Sequence, residues 1–427
     1  MKAKNRILRI TAVLALVISM CLMLSSCLLT FDFPFLDGEG PDYGFDDQYP
    51  SDDNDDGGNK TDPDENGNLT NDPAIDSENF GDFYPGSGQG DISGVSAQAR
   101  TLLSTVDIIV EAGSSAGAGS GIIYKMDKEK GDAYIITNQH VVYADGKATS
   151  SKISVYLYGM ESSAYAIPAS FVGGSVNYDI AVIKITGSEV LKNSYATVAP
   201  LANSNDVRVF DTVYAVGNAA GGGLSVTNGI ISVESESLEL NGADNSLISL
   251  RVLRFDAPVN HGNSGGGLYD DQGRLVGIVC AKDVGNNVDN MGYAIPTDLA
   301  VKVANNIIHY CDNTNATQMK KALMGVTITS YVSGLEIEED GGLRQVKMVE
   351  VVEVSASSLT EGKVKVGDVI NYITVDGVKT EVTQVHHVTD AIIDARAGST
   401  VVMNVRRGEE VINITFTISE GAISAVK

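Results

Sequence analysis

Five residues, Gly262-Asn263-Ser264-Gly265-Gly266, could make a reactive alcohol if a base and its orienting partner lie elsewhere in the chain. A serine hydroxyl is a poor nucleophile until a base takes its proton, and an imidazole does this well only when a carboxylate fixes it. The chain supplies His140 and Asp179 upstream, so the order is His140, Asp179, Ser264. That order excludes the chain orders of subtilisin-like and α/β-hydrolase enzymes. Histidine is scarce: His140, His261, His309, His386 and His387 are all there are, so few assignments compete. His261, just ahead of Gly262, reads as a substituted loop residue facing away from the hydroxyl.

Rigid elements must hold these groups. The glycines around Ser264 let the backbone turn tightly, so that the N–H groups of Gly262 and Ser264 can converge on an oxyanion. One such donor is typically worth about 10²–10³ in rate. Phe255-Asp256-Ala257 precedes the loop, and Leu268-Tyr269 and Arg274–Val279 follow it as strand-like runs. His140 lies in Ala133–Val142, just past a β-branched and aromatic strand ending near Thr137. Asp179 stands at the mouth of the apolar strand Ile180–Ile185. Beyond Pro296 the period changes from two to about 3.6. Leu299, Val303, Ile307, Ile308 and Cys311 mark a helix face capped by Thr297 or Asp298, before a polar linker Asp312–Lys320. The last hundred or so residues alternate short strands with a helical stretch near Thr389–Ala395, and Asp376-Gly377 signals a hairpin. His386 and His387 read as a polar loop or helix start.

Composition narrows the setting. Residues 31–91 hold 18 Asp or Glu against one Lys, a net of −17 out of −25 for the whole chain. So acidic a stretch, poor in apolar residues, predicts an extended disordered tether. Asp52-Asp53-Asn54-Asp55-Asp56 lacks the glutamate that would close a calcium loop, and no cofactor or metal is expected. Lys2, Lys4, Arg6 and Arg9 followed by apolar Ile10–Leu24 form a signal-peptide layout, short for a permanent span. Loss of residues 1–26 would leave −29, which argues against nucleic acid as a partner. Cys280 and Cys311 then remain beside Cys27; Cys280 reads as an apolar filler, with one disulfide to Cys311 as the alternative.

Gly117–Ile123, Thr137–Val142, Tyr178–Ile185, Val216-Gly217-Asn218, Gly262–Gly266 and Gly292–Pro296 together resemble the HtrA/DegP family over roughly residues 97–420. The resemblance implies an all-β-dominated chain: a trypsin-like domain of two six-stranded barrels over 96–312, followed by an α+β PDZ domain over 321–420. His140 and Asp179 would come from the first barrel and Ser264 from the second. Val364–Ile370 and Leu323-Met324-Gly325-Val326 resemble PDZ segments, the latter the loop whose N–H groups hold a peptide carboxylate. Val279-Cys280-Ala281 and the strand near Gly292-Tyr293-Ala294 would line the substrate pocket. No acidic residue sits at the pocket-base position near Pro258, so small or medium aliphatic side chains are preferred over Lys or Arg. Leu24-Ser25-Ser26-Cys27 resembles the bacterial lipobox, which implies leader 1–26, a lipid on Cys27, a linker over 27–95 and anchoring to the outer face of the cell membrane.

The activity so implied is endopeptidase cleavage of unfolded or damaged exported proteins, with the PDZ domain binding peptide C-termini and with trimers as assembly. The chain departs from the family at His261 and Gly267, where many relatives have proline, and in Ala219–Gly223, which lacks a proline-aromatic pair. These changes predict a looser serine loop. They keep a second function in view, a weak or inactive chaperone or peptide-binding scaffold on the same fold.

Overall fold

The structure, a computed structural model, describes residues 92–112, 115–144, 147–148, 152–282, 291–337 and 343–426. The expected leader, Cys27 and almost all of the acidic linker lie outside the described residues. No helix among the described residues is long and apolar enough to cross a membrane.

A helix, Ala97–Ser104, starts where the Ser96 hydroxyl accepts the Ala99 N–H. It leads into β1 (Thr105–Ala112), β2 (Ser115–Asp127) and β3 (Asp132–Thr137). A one-turn helix, Gln139–Val142, and a small hairpin of β4 (Tyr143–Ala144) and β5 (Lys147–Ala148) follow. Then β6 (Lys152–Leu157), β7 (Ile167–Ser175) and β8 (Ile180–Ile185) complete a closed barrel in the order β1-β2-β3-β8-β7-β6. β8 shows why closure works. Its period of two sends Ala181, Ile183 and Ile185 into the first barrel's core, while Ile180 and Val182 pack into a second core between the barrels.

The second barrel is built from β9 (Thr212–Gly217), β10 (Ser225–Asn241), β11 (Leu247–Phe255), β12 (Gly267–Asp270), β13 (Leu275–Lys282) and β14 (Gly292–Pro296). It closes in the order β10-β11-β14-β13-β12-β9. The helix Thr297–Cys311 then buries Leu299, Val303, Ile307 and Cys311 in the inter-barrel core, the face the sequence marked. Its cap differs from expectation: Pro296 takes the cap position, because the Thr297 hydroxyl donates to the Leu275 carbonyl instead. Asp298 accepts from Ser204 and Asn205. Cys280 and Cys311 are both buried and free.

The expected polar linker after residue 312 is fixed to the barrel. Gly174 N–H donates to the Thr317 carbonyl, Met319 N–H donates to the Gly174 carbonyl, and the Met319 side chain is fully buried. Its one large apolar residue supplies the reason, since the inter-barrel core has a place for it.

The C-terminal module opens and shuts with one pair of strands, β15 (Lys320–Ala322) against β22 (Ile423–Ala425), so it runs to Ala425. Between them lie β16 (Val326–Ile337), β17 (Leu343–Val354), β18 (Val369–Val375), β19 (Val378–Glu381), β20 (Thr400–Arg407) and β21 (Glu410–Thr417). The sheet order is β16-β17-β18-β20-β21, with β19 beside β18. Asp376 and Gly377, both at positive φ, make the expected hairpin turn. The helix of this module spans Val385–Ile393 and not the region near 389–395. The shift brings His386 and Asp390 against the second barrel, where Asp390 pairs with Arg251 at 3.2 Å. Burial, then the charges of Arg251, His387 and Lys347, pushes the His386 imidazole down to about 2, so it is neutral. Asn306 donates to the Ile393 carbonyl, and Lys321 to the Tyr178 hydroxyl at 2.9 Å.

Candidate active site

β3 ends at Thr137, and the turn of helix after it lifts His140 to the barrel rim. The Asn138 amide reaches across to donate to the Asp179 carbonyl at 2.9 Å. Asp179 stands at φ 47°, a left-handed conformation that is uncommon outside glycine and is held by its surroundings. Both of its carboxylate oxygens are used by one residue: Oδ1 accepts the His140 N–H at 3.0 Å and Oδ2 faces His140 Nδ1 at 2.8 Å. A carboxylate only accepts, so Nδ1 carries the proton and Nε2 keeps a free lone pair. Asp179 is 4 % exposed, whereas the His140 side chain is 39 % exposed. Burial disfavours the imidazolium, but the charge and hydrogen bond of Asp179 outweigh it and hold the His140 pKa above its ordinary value. The arrangement makes a fixed base of raised strength.

Ser264 lies between β11 and β12 of the other barrel. Every carbonyl from residue 261 to residue 264 has a donor. His261 O accepts from Ala220 N at 2.8 Å, Gly262 O from Ser120 Oγ at 2.7 Å, Asn263 O from Gly266 N at 2.9 Å and Ser264 O from Ser120 N at 2.8 Å. A trans peptide points its C=O and N–H in opposite directions. The Gly262 N–H is therefore turned away from Ala220, and the Ser264 N–H away from Gly266. Gly262, at φ 96°, and Gly265, at φ 83°, need to be glycine, since a Cβ on either would strike the carbonyl of Asn218 or of Ser120. The halves of the site meet at Gly119. A Cβ there would lie 2.5 Å from Val141 Cγ1, next to His140 in sequence, and 3.3 Å from Ser264 O.

Gly267 does not loosen the loop. It lies in the ladder opposite Val216 and Ile278, and a Cβ on it would come within 2.6 Å of Tyr269 Cζ. Tyr269 is fully buried with its hydroxyl 3.1 Å from Ser104 Oγ and 2.9 Å from Thr105 Oγ1. The absent side chain makes room for that ring. His261 is exposed and contributes its backbone.

Of the three expected pocket residues, Val279 and Cys280 are buried in different cores, because β13 is covered on both faces. Cys280 stands at a bulge in β13, its thiol near the Tyr293 carbonyl. Burial, then the charge of Asp179, holds that thiol well above its usual pKa. Ala281 pairs with Tyr293. In the C-terminal module, Gly325 is at φ 77°, and the carbonyls of Met324 and Gly325 accept from Thr360 Oγ1 and Ser355 N. Leu323 N–H donates to Ala422, and Val326 begins the edge strand β16.

Sequence reasoning assigned no role to Ser120, Asn138 or Ala220. Each sits inside a run that the sequence singles out, Ser120 in Gly117–Ile123, Asn138 in Thr137–Val142 and Ala220 in Ala219–Gly223, and that was the available signal.

Two closed barrels with a His–Asp pair on one and a glycine-rich serine loop on the other define a trypsin-like peptidase domain, and that family's description matches residues 119–278. The chain is 33 % identical over 255 residues to "Serine protease Do-like HtrA" of Bacillus subtilis (strain 168), covering 58 % of this chain and 52 % of that protein. It is 32 % identical over 256 residues to "Periplasmic serine endoprotease DegP" of Escherichia coli (strain K12), covering 59 % of this chain and 47 % of that one. Among solved structures, "HtrA-type protease AlgW with tripeptide" has a TM-score of 0.52 at 27 % identity, covering 76 % of this chain and 95 % of that one. The chain spans about half the length of these curated relatives. The two barrels are thus similar to the protease domains of HtrA-type proteins.

Proposed function

We propose that this chain is a serine endopeptidase that cleaves unfolded or damaged exported proteins. Ser264 Oγ attacks the scissile carbonyl while His140 Nε2 takes its proton. His140 then protonates the leaving amine, and water, activated by the same ring, releases the acyl group from Ser264. Asp179 holds the tautomer and stabilises the imidazolium. The N–H groups of Gly262 and Ser264 receive the oxyanion. Small or medium aliphatic side chains suit a pocket whose base position near Pro258 holds no acidic residue. The C-terminal module, with β16 at the end of its described sheet order and the Leu323–Val326 loop, is proposed as a PDZ domain that adds a peptide C-terminus as a strand. Cys27 is proposed as the lipidated first residue of a protein anchored to the outer face of the cell membrane, and a homotrimer as its assembly.

The observation that supports this reading most is that both Asp179 oxygens engage His140 while every carbonyl of residues 261–264 is held by a donor. The rival, an inactive scaffold, drew on a loosened loop at Gly267, and the ring of Tyr269 accounts for that glycine instead. The test is labelling by a fluorophosphonate together with casein cleavage. Both should occur in the wild type and vanish in Ser264→Ala with an unchanged melting temperature. A Ser264→Ala protein that still cleaves casein, or a wild type that never labels, overturns the assignment.

A further inference from the structure

We propose that Ser120 is a positioning residue for the oxyanion-binding loop, acting through its hydroxyl. This rests on the reading of Ser264 as the nucleophile. Ser120 is on β2 of the first barrel, fully buried, with four hydrogen bonds. Its N–H donates to Ser264 O at 2.8 Å, and its carbonyl accepts from Thr137 Oγ1 at 2.7 Å. Its hydroxyl donates to Gly262 O at 2.7 Å and accepts the Asn218 N–H at 2.9 Å. Thr137 is the last residue of the strand that presents His140, so one residue ties the base's strand to the nucleophile's loop.

The hydroxyl controls the Gly262 N–H from two sides. The peptide after Gly262 is held directly, through the Gly262 carbonyl. The peptide before it is held by Ala220 N, and Ala220 belongs to the loop that begins at Asn218, whose N–H rests on the same hydroxyl. Ala220 is at φ 57°, a conformation an alanine keeps only when its flanks are held. Two planar peptides fixed on either side of Gly262 Cα leave its N–H no freedom to rotate away. Glycine alone would resist such rotation weakly, because both signs of φ are open to it. A hydroxyl suits the task, since it gives one hydrogen bond and accepts another at the same point.

Removal of the hydroxyl leaves the Gly262 carbonyl and the Asn218 N–H buried without partners, and the loop relaxes to satisfy them. A donor lost from an oxyanion site costs about 10²–10³ in kcat, and one merely misdirected should cost about 10- to 100-fold. The experiment compares wild type and Ser120→Ala in the full chain, with kcat and KM on a peptide substrate and the affinity of a peptide boronate that mimics the tetrahedral adduct. The expected result is a fall in kcat of about 10- to 100-fold, a KM within about twofold, and boronate affinity weakened by the same factor as kcat. Boronate affinity within about twofold of wild type overturns the proposal, as does a kcat loss fully explained by the unfolded fraction measured in the same sample. Should Ser120→Ala not fold, Ser120→Cys keeps the side chain nearly in size and replaces a strong donor with a weak one, and the same loss of boronate affinity is expected. A wild type inert to fluorophosphonate would sink the functional reading and this inference with it. Normal boronate binding by the Ser120 variants would sink this inference alone.

Discussion

Asp107 gives the sharpest test of the electrostatics. It lies on β1, 5 % exposed, and its Oδ1 has no hydrogen-bond partner. Burial, and then the negative charge of Glu161, pushes its carboxyl from 3.8 up to about 7. An acid whose folded pKa is raised binds its proton more tightly in the folded state. The penalty for ionising it is absent below the unfolded pKa, grows as pH rises from there, and is complete above the folded pKa. A rise of about three units corresponds to about 4 kcal/mol of lost stability at pH 8. Asp107→Asn keeps the shape of the protonated acid and cannot ionise. For a domain of roughly 200 residues, the variant's melting temperature should gain on the wild type by on the order of 10 °C between pH 4 and pH 8. Thermal unfolding of both proteins at both pH values measures this. Any fixed cost of burying an amide appears at both pH values and cancels in the comparison. A gap between variant and wild type that is equal at pH 4 and pH 8 refutes the reasoning.

The remaining predictions concern the site. Catalysis needs neutral His140, and its pKa is held above 6.5, so the acidic limb of the kcat/KM profile should lie above pH 6.5. In Asp179→Asn that limb should move to lower pH while kcat falls by about 10⁴, because an amide stabilises neither the imidazolium nor the right tautomer. A wild-type limb at or below 6.5 contradicts the Asp179 effect. Gly267→Ala should lose about 1–3 kcal/mol in denaturant unfolding, since the new methyl collides with the ring of Tyr269. An unchanged midpoint shows that the ring is free to move.

Much of the fold was legible because its signals are local. The apolar run Ile180–Ile185, the apolar face of Thr297–Cys311 and the Asp376-Gly377 turn each act within a few residues, and each appears as expected. The errors came where tertiary partners decide. The Val385–Ile393 helix begins earlier than its expected span near 389–395, and of the two readings of His386 and His387, loop or helix start, the second holds, with Arg251 and Asp390 meeting beside them. Residues 312–319 look like a linker until Met319 finds its place between the barrels. In the site, residue types were readable because base and carboxylate chemistry allows few alternatives. Ser120 and Ala220 were not, because their roles in the serine loop consist of hydrogen bonds to residues between 41 and 144 positions away in sequence, with no side-chain signature to betray them.

On the proposed activity, a serine loop whose carbonyls at residues 261–264 are all engaged need not rebuild those four peptides when a polypeptide arrives. Delivery of a chain to the crevice would then set when cleavage begins.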